Sequence, residues 1–302
     1  MPRKTRVTAS IWTLIIGRWS FNVASWPRLP LQYPVRIVDL DAHYPSGKGV
    51  SGLIVCAAAE CFPEIPQEDV LPLLVDLEFS SVELPLHEEG ISWGKPSTVL
   101  AEFDKSVEVV RDTSRLAIAA FSVDPGPWGG DYYDRFNACC KLAKSQRVVP
   151  LVVPAAELGT PFNEEIERLR DLVRLASLEG CLVAMKTEIG TMTEDPDTAV
   201  VLCDNVKGLG LALDPSHYTS GPRQGRDYSK VMPYVYHVHL RDSTKSDLHV
   251  RVGQGEIDYG KLISQLEQVG YDRALSIHMP PIEGQDHRAE MRKMRLLLDS
   301  LL

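Results

Sequence analysis

From residue 51 onward, short apolar runs rich in branched residues alternate with longer stretches whose apolar positions recur every three or four residues. The short runs are "LIVCAAAE" (53–60), "SVELPLH" (81–87), "LAIAAFSV" (116–123), "VVPLVVPA" (148–155), "CLVAMKTE" (181–188), "LGLALDPS" (209–216), "VYHVHLRD" (235–242) and "ALSIHM" (274–279). Their length and composition predict buried strands. Between them, segments such as "NEEIERLRDLVRLASLEG" put Ile166, Leu169, Leu172 and Val173 on one helical face and charges on the other. Helices of that kind cover a sheet on one side only. Strands alternating with such helices are the pattern of parallel βα units, and eight of them in about 250 residues predict a (β/α)8 TIM barrel over residues 51–302. An open doubly wound sheet would call for fewer strands and a glycine-rich first turn, and this chain lacks that turn. Residues 1–50 lack the alternation and are expected to form an irregular N-terminal extension; "PSGKGV" (45–50) misses the earlier glycine of a phosphate loop and is read as a turn.

A barrel of this type carries its chemistry at the C-terminal ends of its strands. Glu188 ends the fifth strand segment, Asp214 and His217 follow the sixth, His237 and His239 lie in the seventh and His278 in the eighth. Side chains alternate along a strand, so His237 shares a face with His239, and Ala212 with Asp214. Carboxylates and imidazoles from separate strands suit a divalent cation. Each taken singly is explained as well by capping a strand or binding a loop. Four of them converging on one mouth favour the metal, because leaving them unpaired together would be costly.

In order and spacing, "LALDPSH", "HVHLRD", "VGQGEID" and "GYDRALSI" resemble the sugar phosphate isomerase/epimerase superfamily of xylose isomerase-like TIM barrels, which includes the endonuclease IV branch. The resemblance runs over about residues 53–300 and is strongest over 181–280. It implies one divalent ion (Mn, Co, Zn, Fe or Mg) held by Glu188, Asp214, His239 and His278, with His217 contacting a small sugar. The eighth-strand position is a departure, since the family places a glutamate where this chain has His278. A metal-bound histidine has no lone pair left to act as a base, so proton transfer by two glutamates is in doubt. Glu188 alone could still move a proton between adjacent carbons through an enediol, as in an aldose-ketose isomerase; an epimerase, a dehydratase, a hydrolytic lyase or a noncatalytic sugar-binding barrel stays open.

Further residues have two readings each. Lys186 shares the face of Glu188 and is either a proton donor or the partner of an inward Glu83. Glu60, after the first strand, and Trp128, in "PGPWGGDYY", are candidate substrate contacts or loop anchors. Asp247 and His249 in "DLHVRVGQGEI" resemble the endonuclease IV branch, which would make a metal-dependent phosphodiesterase; otherwise they belong to a loop over the mouth. That branch also takes histidines from its second and third strand ends, where this chain offers only His87.

A net charge of -9 argues against nucleic acid as a partner. Arg3, Lys4 and Arg6 precede an apolar run that is too short to span a bilayer and is interrupted by Arg18, so neither secretion nor a membrane anchor is expected. The six cysteines show no zinc spacing and read as reduced, buried thiols of a cytoplasmic protein. The expected partner is a small sugar, and the resemblance leaves room for a homodimer.

Overall fold

The computed structural model describes residues 52–302. Eight strands, β1 (Ile54–Ala58), β2 (Ser81–His87), β3 (Ala117–Asp124), β4 (Pro150–Val153), β5 (Leu182–Lys186), β6 (Leu209–Leu213), β7 (Val235–Leu240) and β8 (Ala274–Ile277), pair in sequence order and close on themselves. All eight pairings are parallel. This is the (β/α)8 barrel that the alternation predicts. The extension expected over residues 1–50 lies outside the described residues.

Helices α1 (Gln67–Asp76), α2 (Pro96–Ala101), α3 (Phe103–Arg111), α4 (Tyr132–Gln146), α5 (Phe162–Leu178), α6 (Pro196–Asn205), α7 (Ser216–Thr219), α8 (Tyr259–Gln268) and α9 (His287–Asp299) fill the connections. The apolar stripe of α5 behaves as its period requires: Ile166, Leu169 and Leu172 are buried in the layer between strands and helices. Glu165 and Arg168 on the same helix are also buried, because they satisfy one another. Arg168 grips both carboxylate oxygens at 2.7 and 2.8 Å and also donates to the Tyr132 hydroxyl and the Pro154 carbonyl, tying α5 to α4 and to the end of β4. All six cysteines are buried and free.

Two register shifts shape the inside of the barrel. Between β2 and β3, Val82 pairs with Ile118 but Glu83 with Ala120, so Ala119 is an extra residue. Between β6 and β7, Leu211 pairs with Val235 but Ala212 with His237, so Tyr236 is extra. Such bulges rotate the following side chains relative to the pleat. One of them sits beside Glu83 and the other beside His237, the two residues that meet on the barrel axis.

Candidate active site

The site is built from the axis outward. Glu83 of β2 lies buried with its Oε2 accepting hydrogen bonds from His237 Nε2 (2.9 Å), His239 Nε2 (3.0 Å) and Ser276 Oγ (2.7 Å), while Oε1 also lies 2.9 Å from His239 Nε2. Burial opposes its ionisation, but the surrounding imidazoles hold its carboxyl well below the usual range. An ionised carboxylate only accepts, so both Nε2 atoms must carry the protons. His239 is then neutral, its pKa pushed down to about 4 by burial against the opposing pull of Glu83. Its hydrogen bonds are all made through Nε2, so Nδ1 keeps its lone pair. The buried Nδ1 of His237 is unpartnered.

Glu83, His237 and His239 are the trio, among the described residues, whose ligand atoms all lie within 4.8 Å of one another and could hold a metal. Turning both Nε2 atoms toward an ion would move a proton onto His237 Nδ1, where no acceptor awaits it. In the hydrogen-bonded arrangement the same nitrogen is a buried acceptor without a donor.

The next layer is organised by Arg241, the residue after β7. Its Nε and Nη2 lie 3.0 and 2.9 Å from Asp214 Oδ2, and Nη2 is also 2.9 Å from His278 Nδ1. Asp214 Oδ1 takes the Ser216 backbone N–H at 2.9 Å and the Ser216 hydroxyl. Against the cost of burial, the guanidinium brings the Asp214 carboxyl down to about 2. A guanidinium only donates, so His278 Nδ1 is the acceptor and its Nε2 carries the proton toward Glu60 Oε1, 2.8 Å away. Glu60 is held well below the ordinary carboxylate range despite its burial, by that hydrogen bond and by the nearby Lys186 ammonium. The His239 and His278 rings stack with centroids 4.6 Å apart.

His217 completes the cluster. Its Nδ1 accepts from the Ile189 backbone N–H at 3.1 Å, which leaves Nε2 protonated and 3.7 Å from Asp214 Oδ2. Burial lowers its pKa, helped by Arg241 and opposed by Asp214 and Glu188. The fifth strand ends at Lys186, so Glu188 lies two residues into the loop, anchored by its backbone N–H to Thr193 Oγ1. The Glu188 carboxylate and the Lys186 ammonium have no protein hydrogen bond or ion pair among the described residues. Lys186 is not paired with Glu83; its charge acts on Glu60 and His87 instead.

The structure therefore gathers Glu60, Lys186, Glu188, Asp214, His217, His239 and His278 at one end of the barrel, around an arginine. Trp128 is 48% exposed on the loop after β3. His249 donates to the Pro280 carbonyl at 2.8 Å and Asp247 bonds within its own turn, so the two are not brought together. A cleft of about 320 Å³ between the loops after β1 and β2, lined by Phe62, Ile91 and Trp93 among others, includes none of the candidate residues. Sequence reasoning missed Arg241 as the centre, although it shares the inward parity of His237 and His239, and it missed Glu83 as the group that orients His239.

The donor set does not fit a divalent ion bound by Glu188, Asp214, His239 and His278 as they stand. Asp214 and His278 both face the guanidinium, and only the Glu188 carboxylate and His239 Nδ1 lack a protein partner. A doubly charged ion about 4 Å from a guanidinium meets roughly 8 kcal/mol of repulsion at an effective dielectric of about 20.

A closed parallel barrel with a buried histidine–carboxylate layer beneath a charged mouth defines a (β/α)8 TIM-barrel protein. The sequence profile of the xylose isomerase-like TIM barrels matches residues 71–297, and the chain belongs to that family. A relative of unassigned function, MJ1311 of Methanocaldococcus jannaschii, is 23% identical over 141 residues, 44% of this chain and 48% of that one, so the match spans about half of that relative's length. Among solved structures, a xylose isomerase-like TIM barrel protein from Mycobacterium smegmatis in complex with magnesium superposes with a TM-score of 0.65 at 17% identity, covering 82% of this chain and 98% of that one. The D-psicose 3-epimerase of Clostridium cellulolyticum H10, solved with D-tagatose, gives 0.63 at 11% identity, with the same coverage. At these identities the structural likeness speaks to the fold. Among the described residues, no helix is long and apolar enough to cross a membrane.

Proposed function

We propose that the chain is an isomerase or epimerase that moves a proton next to the carbonyl of a small sugar or sugar derivative. The observation that carries this reading is a carboxylate without a protein partner, Glu188, set beside His217 at a mouth that also holds two cations, Arg241 and Lys186. Glu188 takes a proton from the carbon next to the carbonyl, the electron pair moves onto the carbonyl oxygen, and the proton returns to the same carbon or its neighbour. Returned to the neighbouring carbon by the same carboxylate, it exchanges aldose and ketose; inverting a centre requires a second proton donor on the opposite face of the substrate. Membership of the xylose isomerase-like family and a sugar epimerase among the structural neighbours support the substrate class. Two of the four ligands that the resemblance implies for a divalent ion, Asp214 and His278, face Arg241 instead.

The test is deuterium incorporation from heavy water into a panel of ketoses and aldoses, followed by nuclear magnetic resonance. Exchange by the wild type that is lost in Glu188→Gln is the expected result. Saturable binding of a sugar without exchange would make the chain a noncatalytic sugar-binding barrel instead.

A further inference from the structure

Arg241 contacts two of the four residues that the family resemblance names as ligands of an ion. It is held from two sides: Asp214, one of the expected ligands, takes Nε and Nη2, and His278, another, takes Nη2 through Nδ1. Neither contact is a chance surface pairing, since the arginine side chain is 10% exposed and Asp214 is buried. The proton arrangement is self-consistent around it. Glu60 fixes the proton of His278 on Nε2, which turns the Nδ1 lone pair to the guanidinium, and Ser216 holds the far oxygen of Asp214. Glu83 does the same for His239 from below. The eighth-strand departure has a reason in this setting: a neutral imidazole can stand between Arg241 and the carboxylate of Glu60, where a glutamate would set two like charges side by side.

We infer that the Arg241 guanidinium replaces the divalent ion, so that the chain neither binds nor needs one. This deepens the functional reading above, on which its catalytic part rests. Arg241 Nη1 has no protein partner among the described residues and supplies a fixed N–H to the carbonyl oxygen. As Glu188 removes the proton from the neighbouring carbon, the C–H electron pair becomes the enediol double bond, the carbonyl pair moves to oxygen, and that oxyanion is stabilised by Nη1–H. No electron leaves the substrate, so no oxidant or further co-reactant is required. Lys186, whose ammonium also lacks a protein partner, provides a second cation for an anionic substituent of the substrate.

The experiment needs no substrate. The full chain, as wild type, Arg241→Ala and Arg241→Ala/Asp214→Asn, is titrated calorimetrically with Mn²⁺, and its metal content after purification is measured by mass spectrometry. Wild type is expected to carry no stoichiometric ion, Arg241→Ala to bind one Mn²⁺ at least about 100-fold more tightly than wild type, and the double variant to lose that gain. Arg241→Gln, which removes the charge and keeps most of the length, gives the same reading if the alanine variant does not fold. One stoichiometric ion in the wild type, or no gain in either folded Arg241 variant, overturns the inference. Exchange activity that survives chelation supports it, and loss of activity on chelation that returns with added metal refutes it. Absence of exchange in every sample would overturn the isomerase reading and leave the metal result standing.

Discussion

Glu83 and His239 are 156 positions apart in the chain and meet inside the barrel, carboxylate Oε1 to imidazole Nε2 at 2.9 Å. The contact fixes the His239 tautomer and presents the opposite nitrogen without a protein partner, as carboxylates do for histidines in many polar sites. Glu83→Gln should disturb the whole layer, because the amide nitrogen donates where His237, His239 and Ser276 also donate. A loss of about 2–4 kcal/mol in unfolding free energy is expected at neutral pH. Ser276→Ala, which removes one of the three donors and leaves the carboxylate two, should cost only about 1 kcal/mol. Urea titrations of both variants check the ranking, and equal losses would contradict it.

The same layer sets a pH dependence. His239 has its pKa lowered from 6.5 to about 4. Between those values the unfolded chain takes up a proton that the folded chain refuses, so stability falls as the pH drops through this window, and the His239 contribution levels off below it. His239 alone contributes roughly 3 kcal/mol to the fall. His87, His217, His249 and His287 are shifted in the same direction by burial and add to it. Urea unfolding from pH 7.5 down to 4.5 should show the decline, shallower in His239→Gln; a flat wild-type profile would remove the argument.

What could be seen in the sequence divides along physical lines. The strands were legible because each is a local apolar run, and β2 spans the same seven residues as its run, Ser81–His87. The convergence of Asp214, His217, His239 and His278 followed from strand parity and barrel topology. The Glu83–His239 pair was not legible, since β2 and β7 are not neighbours in the sheet and no local spacing encodes a contact across the axis. Arg241 lies one residue beyond β7, where an arginine reads as a solvated loop residue; only the inward parity it shares with His239 hinted otherwise. The metal expectation came from carboxylates and imidazoles converging on one mouth and from the resemblance, and the arginine beside Asp214 is what argues against it.

Glu188 and Asp214 should separate cleanly in variant enzymes. Glu188→Gln removes a carboxylate with no protein partner, so unfolding free energy should stay within about 0.5 kcal/mol while proton exchange falls by about 10²–10⁴-fold. Asp214→Asn leaves a buried arginine without its counter-charge and is expected to cost about 3 kcal/mol in stability, with a smaller loss of exchange. Parallel calorimetry and exchange rates test this. A Glu188→Gln variant as unstable as Asp214→Asn would mean that Glu188 has a structural task.

Tyr236 is the extra residue of the β7 bulge, and it depends on a glycine across the strand pair. A Cβ added to Gly210 would fall inside the Tyr236 ring. Glycine is therefore required there by the neighbour and not by its own backbone. The ring in turn lies 5.7 Å from the Arg273 guanidinium, so it cannot move aside freely. Gly210→Ala is expected to destabilise the barrel by about 1–3 kcal/mol and to displace the strand that carries His237 and His239. Tyr236→Ala makes room for the new methyl group at the cost of its own packing. If the steric account holds, the double variant Gly210→Ala/Tyr236→Ala is more stable than the sum of the two single losses predicts, with a coupling of about 0.5–3 kcal/mol. Strict additivity would show that the two residues do not interact and that the bulge is held in place by something else.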